Sequence, residues 1–157
     1  MIVLISDYKR PNKKLSWFSL DFWQIIGSYN DYWFHLITEN ETENETENKI
    51  TVLAKCSVAI EYKYNQARID DVFVPLIYRG NGYAYLLLKE VVKILKRYDM
   101  NEDVIFPIDV KPRFKLESIY LFAIVGNIPA NKTYEKVFGA GQKEDDEIIF
   151  YSLNITI

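Results

Sequence analysis

Apolar and polar residues are distributed along the chain in blocks that predict a succession of strands and helices. Runs rich in β-branched and aromatic residues predict strands at 2–5, 32–37, 50–62, 67–74, 119–125 and 148–156. Apolar residues recur at helical spacing over 15–26, 83–98 and 129–137, with Gly27 after the first helix and Pro129 in the first turn of the last. Strands followed by helix, strand, helix and strand are typical of an α/β or α+β fold with a mixed sheet.

Two stretches lack this periodicity. Residues 38–48 read TENETENETEN and contain no apolar side chain, which predicts a solvated hairpin loop between the second and third strands. Its five glutamates hint weakly at a cationic acceptor, and solvation alone is the alternative. In 99–118, Pro107 and Pro112 interrupt a candidate edge strand.

Composition narrows the class of protein. A length of 157 residues suits a single domain, 1–157, and a net charge of −3 argues against nucleic acid or an anionic membrane as the main partner. No apolar run reaches the roughly 18 residues of a membrane span. Cys56 is the single cysteine, so an intramolecular disulfide is excluded and a cysteine-based zinc site is disfavoured. Residues 1–7 are too short for a signal-peptide core, and we expect a cytoplasmic protein without a metal site.

The segment that carries chemistry is a strand, a loop and a helix. The strand at 67–74 ends before Pro75, and the loop 79–84 reads RGNGYA. Gly80 and Gly82 let the backbone turn without a Cβ penalty. The free N–H groups and the dipole at the start of the helix form an anion site, for which a pyrophosphate is a natural occupant, and Arg79 adds charge. A capped tight turn is the alternative interpretation, and the loop is neither a P-loop nor a dinucleotide fingerprint.

The stretch 72–84 resembles the acetyl-CoA signature of the GNAT superfamily. That signature has Arg or Gln, two variable residues, Gly, one variable residue and then Gly or Ala. Arg79, Gly82 and Ala84 fill its fixed positions.

A second block, 127–139, is similar to the family pattern N-x-x-A-x-x-x-Y-E-K-x-G-F. Its residues in register are Asn127, Ala130, Tyr134, Glu135 and Lys136. The Gly-Phe pair of the pattern is replaced by Phe138 and Gly139, a departure near the end of the helix. The two blocks cover about 67–151 of the chain, and the N-terminal third shows no comparable motif.

The resemblance implies the GNAT fold, a central mixed, mostly antiparallel twisted sheet of six to seven strands flanked by helices. It implies an N-acetyltransferase that moves an acetyl group from acetyl-CoA, the acyl donor, to a primary amine on a small molecule or a protein by direct attack on the thioester. It places the pantetheine against backbone groups of Val72, Phe73 and Val74, with Asn127 on its other side. A backbone N–H near Val74 would polarise the thioester carbonyl. The N–H groups that would hold the pyrophosphate belong to Arg79, Gly80, Asn81, Gly82, Tyr83 and Ala84.

The resemblance also assigns acid and base roles. Tyr134 would protonate the leaving thiolate, and a core tyrosine is the alternative. The base candidates are Asp70 and Asp71, which strand alternation sends to opposite faces, and we expect Asp70 to share a face with Val72 and Val74. A solvent-facing carboxylate is the alternative for each, and His35 is a weaker third candidate.

Two other functions stay open at this point. A degenerate member of the family would bind an acyl-CoA without turnover. An interaction domain would dock a partner through exposed aromatic side chains, for which the candidates are Trp17, Phe18, Phe22, Trp23 and Trp33. Many members of the family form homodimers, and the sequence neither supports nor opposes one here.

Overall fold

A seven-stranded sheet with two α-helices makes up the described part of the chain. The computed structural model describes residues 2–7, 29–40, 49–61, 64–98 and 116–155. The strands are β1 (Ile2–Asp7), β2 (Tyr29–Asn40), β3 (Lys49–Glu61), β4 (Gln66–Phe73), β5 (Ser118–Ile124), β6 (Gln142–Lys143) and β7 (Ile148–Asn154), and the helices are α1 (Tyr83–Tyr98) and α2 (Ile128–Phe138).

The strands lie in the order β1-β2-β3-β4-β5-β7-β6. Neighbours are antiparallel except β4 and β5, which are parallel. This is the mixed, mostly antiparallel sheet that the sequence predicts. The parallel pair requires a crossover, and α1 lies on the connection between the two strands.

The core lies between the sheet and the apolar stripe of α1. Four residues of that stripe are fully buried, namely Leu87, Leu88, Val91 and Leu95. They form one cluster with inward side chains of the sheet, among them Phe34, Cys56, Val58, Ala67, Ile69, Ile119 and Leu121. We call the side of the sheet that carries these residues the helix face. Burying a leucine or valine side chain stabilises the fold by roughly 1.5–3 kcal/mol, so this stripe fixes α1 against the sheet.

The predicted strands and helices of the described residues are present, with boundaries that differ by at most three residues, and three differences bear on the site or the fold. The strand predicted at 67–74 ends at Phe73. The short strand β6 is not predicted, because two residues are too few to show a period. Residues 38–40, predicted as the start of the acidic loop, are instead the end of β2 and pair with 49–51 of β3. Ladder hydrogen bonds come from the backbone, so polar side chains do not end a hairpin.

Several expectations fall on residues outside the described part of the chain. These are the helix at 15–26, loop residues 41–48, nearly all of 99–118 and the aromatic candidates Trp17, Phe18, Phe22 and Trp23. Trp33 is described and is half-buried in β2, where the Lys55 ammonium lies 5.3 Å from the centre of its ring.

Candidate active site

β4 and β5 separate after a short paired region, and a cleft opens there. Residues 66–68 pair in parallel with 118–120, and no later pair is recorded between these strands. Beyond this point the end of β4, the loop 79–84 and the start of α2 enclose a cavity of about 490 Å³. Its lining includes Val72, Phe73, Val74, Arg79, Gly80, Gly82, Tyr83, Ala84, Asn127, Ala130 and Tyr134. Most of the residues predicted to bind the donor therefore lie around one cavity, and Asn81 and Asp70 are not part of its lining.

Two glycines shape the loop that enters α1. Gly80 has φ +82° and Gly82 has φ +78°, in the left-handed region that L side chains rarely adopt. A Cβ built on Gly82 would meet no atom within 4 Å, so the backbone conformation demands glycine here and packing does not. The Gly82 carbonyl accepts a hydrogen bond from Leu86 N at 3.1 Å, which closes the first helical turn. The N–H groups before that turn have no intrahelical acceptor, as an anion site requires.

Side chains of the loop tie it to itself and to β4. The Asn81 amide donates to the carbonyl of Tyr78 at 2.9 Å, so it braces the turn. Arg79 Nε donates to the carbonyl of Val74 at 2.9 Å, and its guanidinium lies 6.0 Å from the ring centre of Phe73. The charge of Arg79 is thereby held beside the cavity, at the junction of strand and loop.

The other wall of the cavity comes from α2. Asn127 is the N-cap of this helix, and its side chain accepts from Ala130 N at 3.4 Å. Asn131 connects the helix to the sheet. Its amide donates to the carbonyls of Ile124 and Asn127, both at 2.9 Å, and its oxygen accepts from the Tyr151 hydroxyl at 2.9 Å. The sequence does not single out Asn131, because only the fold brings its partners together.

Tyr134 lies in the cavity wall and is 9% exposed. Its ring packs edge to face on Tyr151, with ring centres 5.6 Å apart. Burial raises the pKa of Tyr134, and the nearby Cys56 and Tyr151 raise it further. The hydroxyl therefore keeps its proton at neutral pH, as a proton donor must.

The end of α2 accounts for the departure from the family pattern. Phe138 is the last helical residue and is buried, at 7% exposure. Gly139 follows with φ +84° and donates its N–H to the carbonyl of Glu135 at 2.9 Å. With ψ −166°, Gly139 has a backbone conformation that is nearly restricted to glycine, so the Phe-Gly order suits the way in which this helix ends.

A β-bulge in β4 corrects the predicted direction of Asp70. Ser57 of β3 pairs with Asp70, but Lys55 pairs with Phe73, so β4 contains one extra residue between these pairs. Asp71, at the bulge, has φ +53°. The bulge shifts the alternation of side chains by one position. The prediction that Asp70 shares a face with Val72 and Val74 is wrong.

The residues before the bulge and the residues after it have different surroundings. Val72 and Val74 pack against the core cluster on the helix face. Asp70 lies on the opposite face, which we call the open face, where its Oδ2 is 2.7 Å from Arg68 Nε. The Asp71 carboxylate is exposed and accepts a hydrogen bond from Ser57 Oγ at 3.3 Å.

Asp70 belongs to a polar network on the open face. Arg68 contacts Asp70 and also Glu61, with Arg68 Nη1 3.1 Å from Glu61 Oε2. Glu61 is only 4% exposed and accepts a further hydrogen bond from the Tyr120 hydroxyl. Burial raises the pKa of Asp70, and Arg68 opposes that rise. Asp70 is thus a partly exposed carboxyl that is ion-paired with Arg68 and whose pKa is raised.

His35, the third base candidate, lies apart from the cleft. It lines a pocket of about 240 Å³ with Val52, Lys55, Phe73 and Pro75. Of these, only Phe73 also contributes to the larger cavity. His35 therefore does not belong to the group of residues that line the cleft.

Two features are absent from the described residues. Among them no group of three or more His, Cys, Asp or Glu side chains could hold a metal ion. Within the same residues, neither helix has the length and apolar character needed to cross a bilayer.

Comparison with known proteins gives structural likeness only. No protein-family model matches the sequence, and no curated protein matches it either. Among solved structures, an IAA acetyltransferase from Bacillus cereus is similar with a TM-score of 0.51 and 11% identity over 98% of this chain and 99% of that one. A spermidine N-acetyltransferase from Vibrio cholerae is similar with a TM-score of 0.50 and 13% identity, covering 86% of this chain and 72% of the other.

A third structure was solved in complex with acetyl coenzyme A. It is a Bacillus anthracis protein provisionally assigned as a streptothricin acetyltransferase, with a TM-score of 0.50 and 18% identity over 82% of this chain. The present chain spans 63% of the length of that protein. At such low identities the likeness shows a common fold.

Proposed function

We propose that this chain, which has the fold of the GNAT acetyltransferases, is an N-acetyltransferase that uses acetyl-CoA to acetylate a primary amine, with 1–157 acting as one domain. The observation that carries the proposal is the cleft between the splayed ends of β4 and β5. The glycine loop at one end of it offers N–H groups to an anion, and Tyr134 in its wall offers a proton. An elongated donor with a phosphorylated end and a reactive thioester suits such a cleft.

Donor binding would use backbone groups more than side chains. The loop 79–84 would hold the pyrophosphate through N–H groups at the start of α1, with the charge of Arg79 beside it. Backbone groups of 72–74, at the end of β4 and beyond its ladder with β5, would pair with the pantetheine as an added strand does. Asn127 would approach the pantetheine from the opposite wall.

The reaction would be a direct displacement at the thioester carbonyl. The neutral amine attacks the carbonyl carbon, the C–S bond breaks, and the thiolate accepts the proton of the Tyr134 hydroxyl. The amine nitrogen gives up a proton, for which Asp70 is the proposed acceptor, directly or through one water. A backbone N–H near Val74 would stabilise the oxyanion.

Because of the bulge in β4, the residues proposed to contact the donor and the proposed base lie on opposite faces of the sheet. Val72 and Val74 line the cleft and pack with the core on the helix face, whereas Asp70 points to the open face. Donor and acceptor would therefore reach the reacting carbonyl from opposite sides of the sheet. The raised pKa of Asp70 makes it a better proton acceptor than an ordinary carboxylate.

The decisive experiment measures acetyl-CoA binding by thermal unfolding of wild type, Gly82→Glu and Gly82→Ala. Ligand at about 100 times its Kd adds about 2.7 kcal/mol to the folded state, which raises Tm by roughly 5–10 °C for a chain of this size. Either substitution at φ +78° costs stability, so Gly82→Ala is the matched control for strain. We expect the alanine variant to retain most of the shift and the glutamate variant, whose carboxylate repels the pyrophosphate, to lose it.

Turnover separates an enzyme from a protein that only binds an acyl-CoA. Thiol release and product mass would be followed with a panel of primary amines. A shift with acetyl-CoA but no acetylated amine would leave an acyl-CoA-binding protein. No shift even at millimolar acetyl-CoA would remove the basis of the proposal.

A further inference from the structure

The open face carries a strip of apolar side chains. Phe122 pairs with Phe150 and Ile124 with Ile148 across β5 and β7, and alternation puts all four on one face. Phe122 is 54% exposed and Ile124 is 68% exposed. These four residues, here called the apolar strip, form a partly exposed surface on β5 and β7.

Asp70 faces this strip across the gap between the strands. β4 and β5 are parallel, and the last recorded pair between them is Arg68 with Tyr120. Asp70 and Phe122 each follow that pair by two residues, so they lie at the same level on the two sides of the gap. The contact of Asp70 with Arg68 places its carboxylate on the face that carries Tyr120. A carboxylate and an aromatic ring therefore lie on the two sides of the gap between β4 and β5, and neither belongs to the lining of the cavity.

The aromatic side of the gap is held rigidly. The Phe122 ring centre lies 5.7 Å from that of Tyr120 and 5.4 Å from that of Phe150. Tyr120 is itself fixed by its hydrogen bond to the buried Glu61. The exposed part of Phe122 is thus preorganised, and a ligand does not have to order it on binding.

Asp70 is the group on this face that would attract a cation to the gap. Three carboxylates, those of Glu61, Asp70 and Asp71, lie on this face with the guanidinium of Arg68 and the ammonium of Lys55, and the guanidinium of Arg79 lies 6.0 Å from the ring centre of Phe73. Arg68 is shared between two of the carboxylates, and Lys55 is held over aromatic rings. An ammonium group at the gap would be attracted by the carboxylate of Asp70 and by the face of the Phe122 ring.

We propose that the acceptor is a primary amine carried on an apolar, aromatic body, an arylalkylamine, with its nitrogen at Asp70 and its ring on the apolar strip. This inference rests on the proposed acetyltransferase function. Polyamines and hydroxyl-rich amines fit the site less well, because their additional polar groups would be desolvated against Phe122 and Ile124 without partners.

The test compares kcat/KM for phenethylamine, ethanolamine and spermidine at saturating acetyl-CoA. We expect phenethylamine to exceed the other two by about tenfold or more, the effect of one good aromatic contact. Phe122→Ala should lower kcat/KM for phenethylamine, through KM, about tenfold relative to kcat/KM for ethanolamine. Phe122→Leu, which keeps an apolar side chain, should retain most of the preference.

The control is Tyr64→Ala, which removes an exposed ring just before β4, at the end of that strand away from the cleft. It should leave the ratio of phenethylamine to ethanolamine unchanged. An equal ratio in wild type and Phe122→Ala, or acetylation of a peptide amino terminus in preference to every small amine, would overturn the inference. Both results would leave the acetyltransferase proposal intact, whereas failure to bind acetyl-CoA would remove both.

Discussion

Replacing Asn131 with alanine should loosen α2 from the sheet. The side chain donates to the carbonyls of Ile124, Val125 and Asn127 at 2.9, 3.3 and 2.9 Å and accepts from the Tyr151 hydroxyl at 2.9 Å. The amide has two hydrogens for three carbonyls, so about three effective hydrogen bonds are lost in total.

Each such bond contributes about 1 kcal/mol, and water replaces part of the loss where the carbonyls are exposed. We therefore expect the free energy of unfolding to fall by about 2 kcal/mol, with a Tm lower by roughly 4–8 °C. Because α2 forms one wall of the cleft, acetyl-CoA affinity should fall as well.

Urea unfolding followed by circular dichroism measures the change, and an unchanged m-value would show that both transitions expose the same surface. Thr133→Ala, on the same helix, removes a single exposed bond to the Pro129 carbonyl and serves as the control, with an expected change below about 0.5 kcal/mol. Tyr151→Phe tests the coupling, since the double variant with Asn131→Ala should cost about 1 kcal/mol less than the sum of the two. An Asn131→Ala protein as stable as the Thr133→Ala control would refute this account of the helix–sheet junction.

Three further changes test the site and the core. Tyr134→Phe should lower kcat about a hundredfold at an unchanged KM for acetyl-CoA, measured by thiol release, because the ring stays and the proton donor is lost. Gly141→Ala should cost about 1–3 kcal/mol in urea unfolding, since a Cβ there would lie 2.5–2.8 Å from side chains of β7, whereas Gly126→Ala meets nothing within 4 Å and should be nearly neutral. Burial, followed by the charges of neighbouring carboxylates, raises the pKa of the Cys56 thiol above its ordinary value of 9.0. The part of the free energy of unfolding that comes from this shift is therefore fully present below pH 9 and is lost as the pH rises. Wild type should therefore lose about 1.4 kcal/mol more than Cys56→Ala between pH 8 and pH 10, and equal losses would contradict this.

Helix α1 and the glycine loop were predictable because their causes are local. The apolar stripe of α1 follows a period of 3.6 residues, and the structure places the helix at Tyr83–Tyr98, as predicted. Gly80 and Gly82 take the positive φ values that the turn needs. Each of these features depends on residues a few positions apart, which a single sequence displays directly.

The polar network on the open face was not predictable because its partners are far apart in the sequence. The hydrogen bond between Tyr120 and Glu61 joins residues 59 positions apart, and it depends on β5 lying beside β4 in parallel register. Neither residue belongs to a motif, and Glu61 is the last residue of a long strand whose register the sequence does not state. A buried glutamate becomes identifiable only when the strand order supplies its partners.

The bulge in β4 is another feature that was not predicted from the sequence, and it bears on the proposed chemistry. Because Ala67 and Ile69 lie on the helix face, strict alternation would put Asp70, Val72 and Val74 together on the open face. One extra residue, with Asp71 in the left-handed region, reverses that relation within three positions. The backbone strain at Asp71, of order 1 kcal/mol, thereby separates the proposed donor side of this strand from the proposed acceptor side. In the proposed mechanism, the bulge therefore sets the side on which the base lies, and the separation of β4 from β5 opens the cleft.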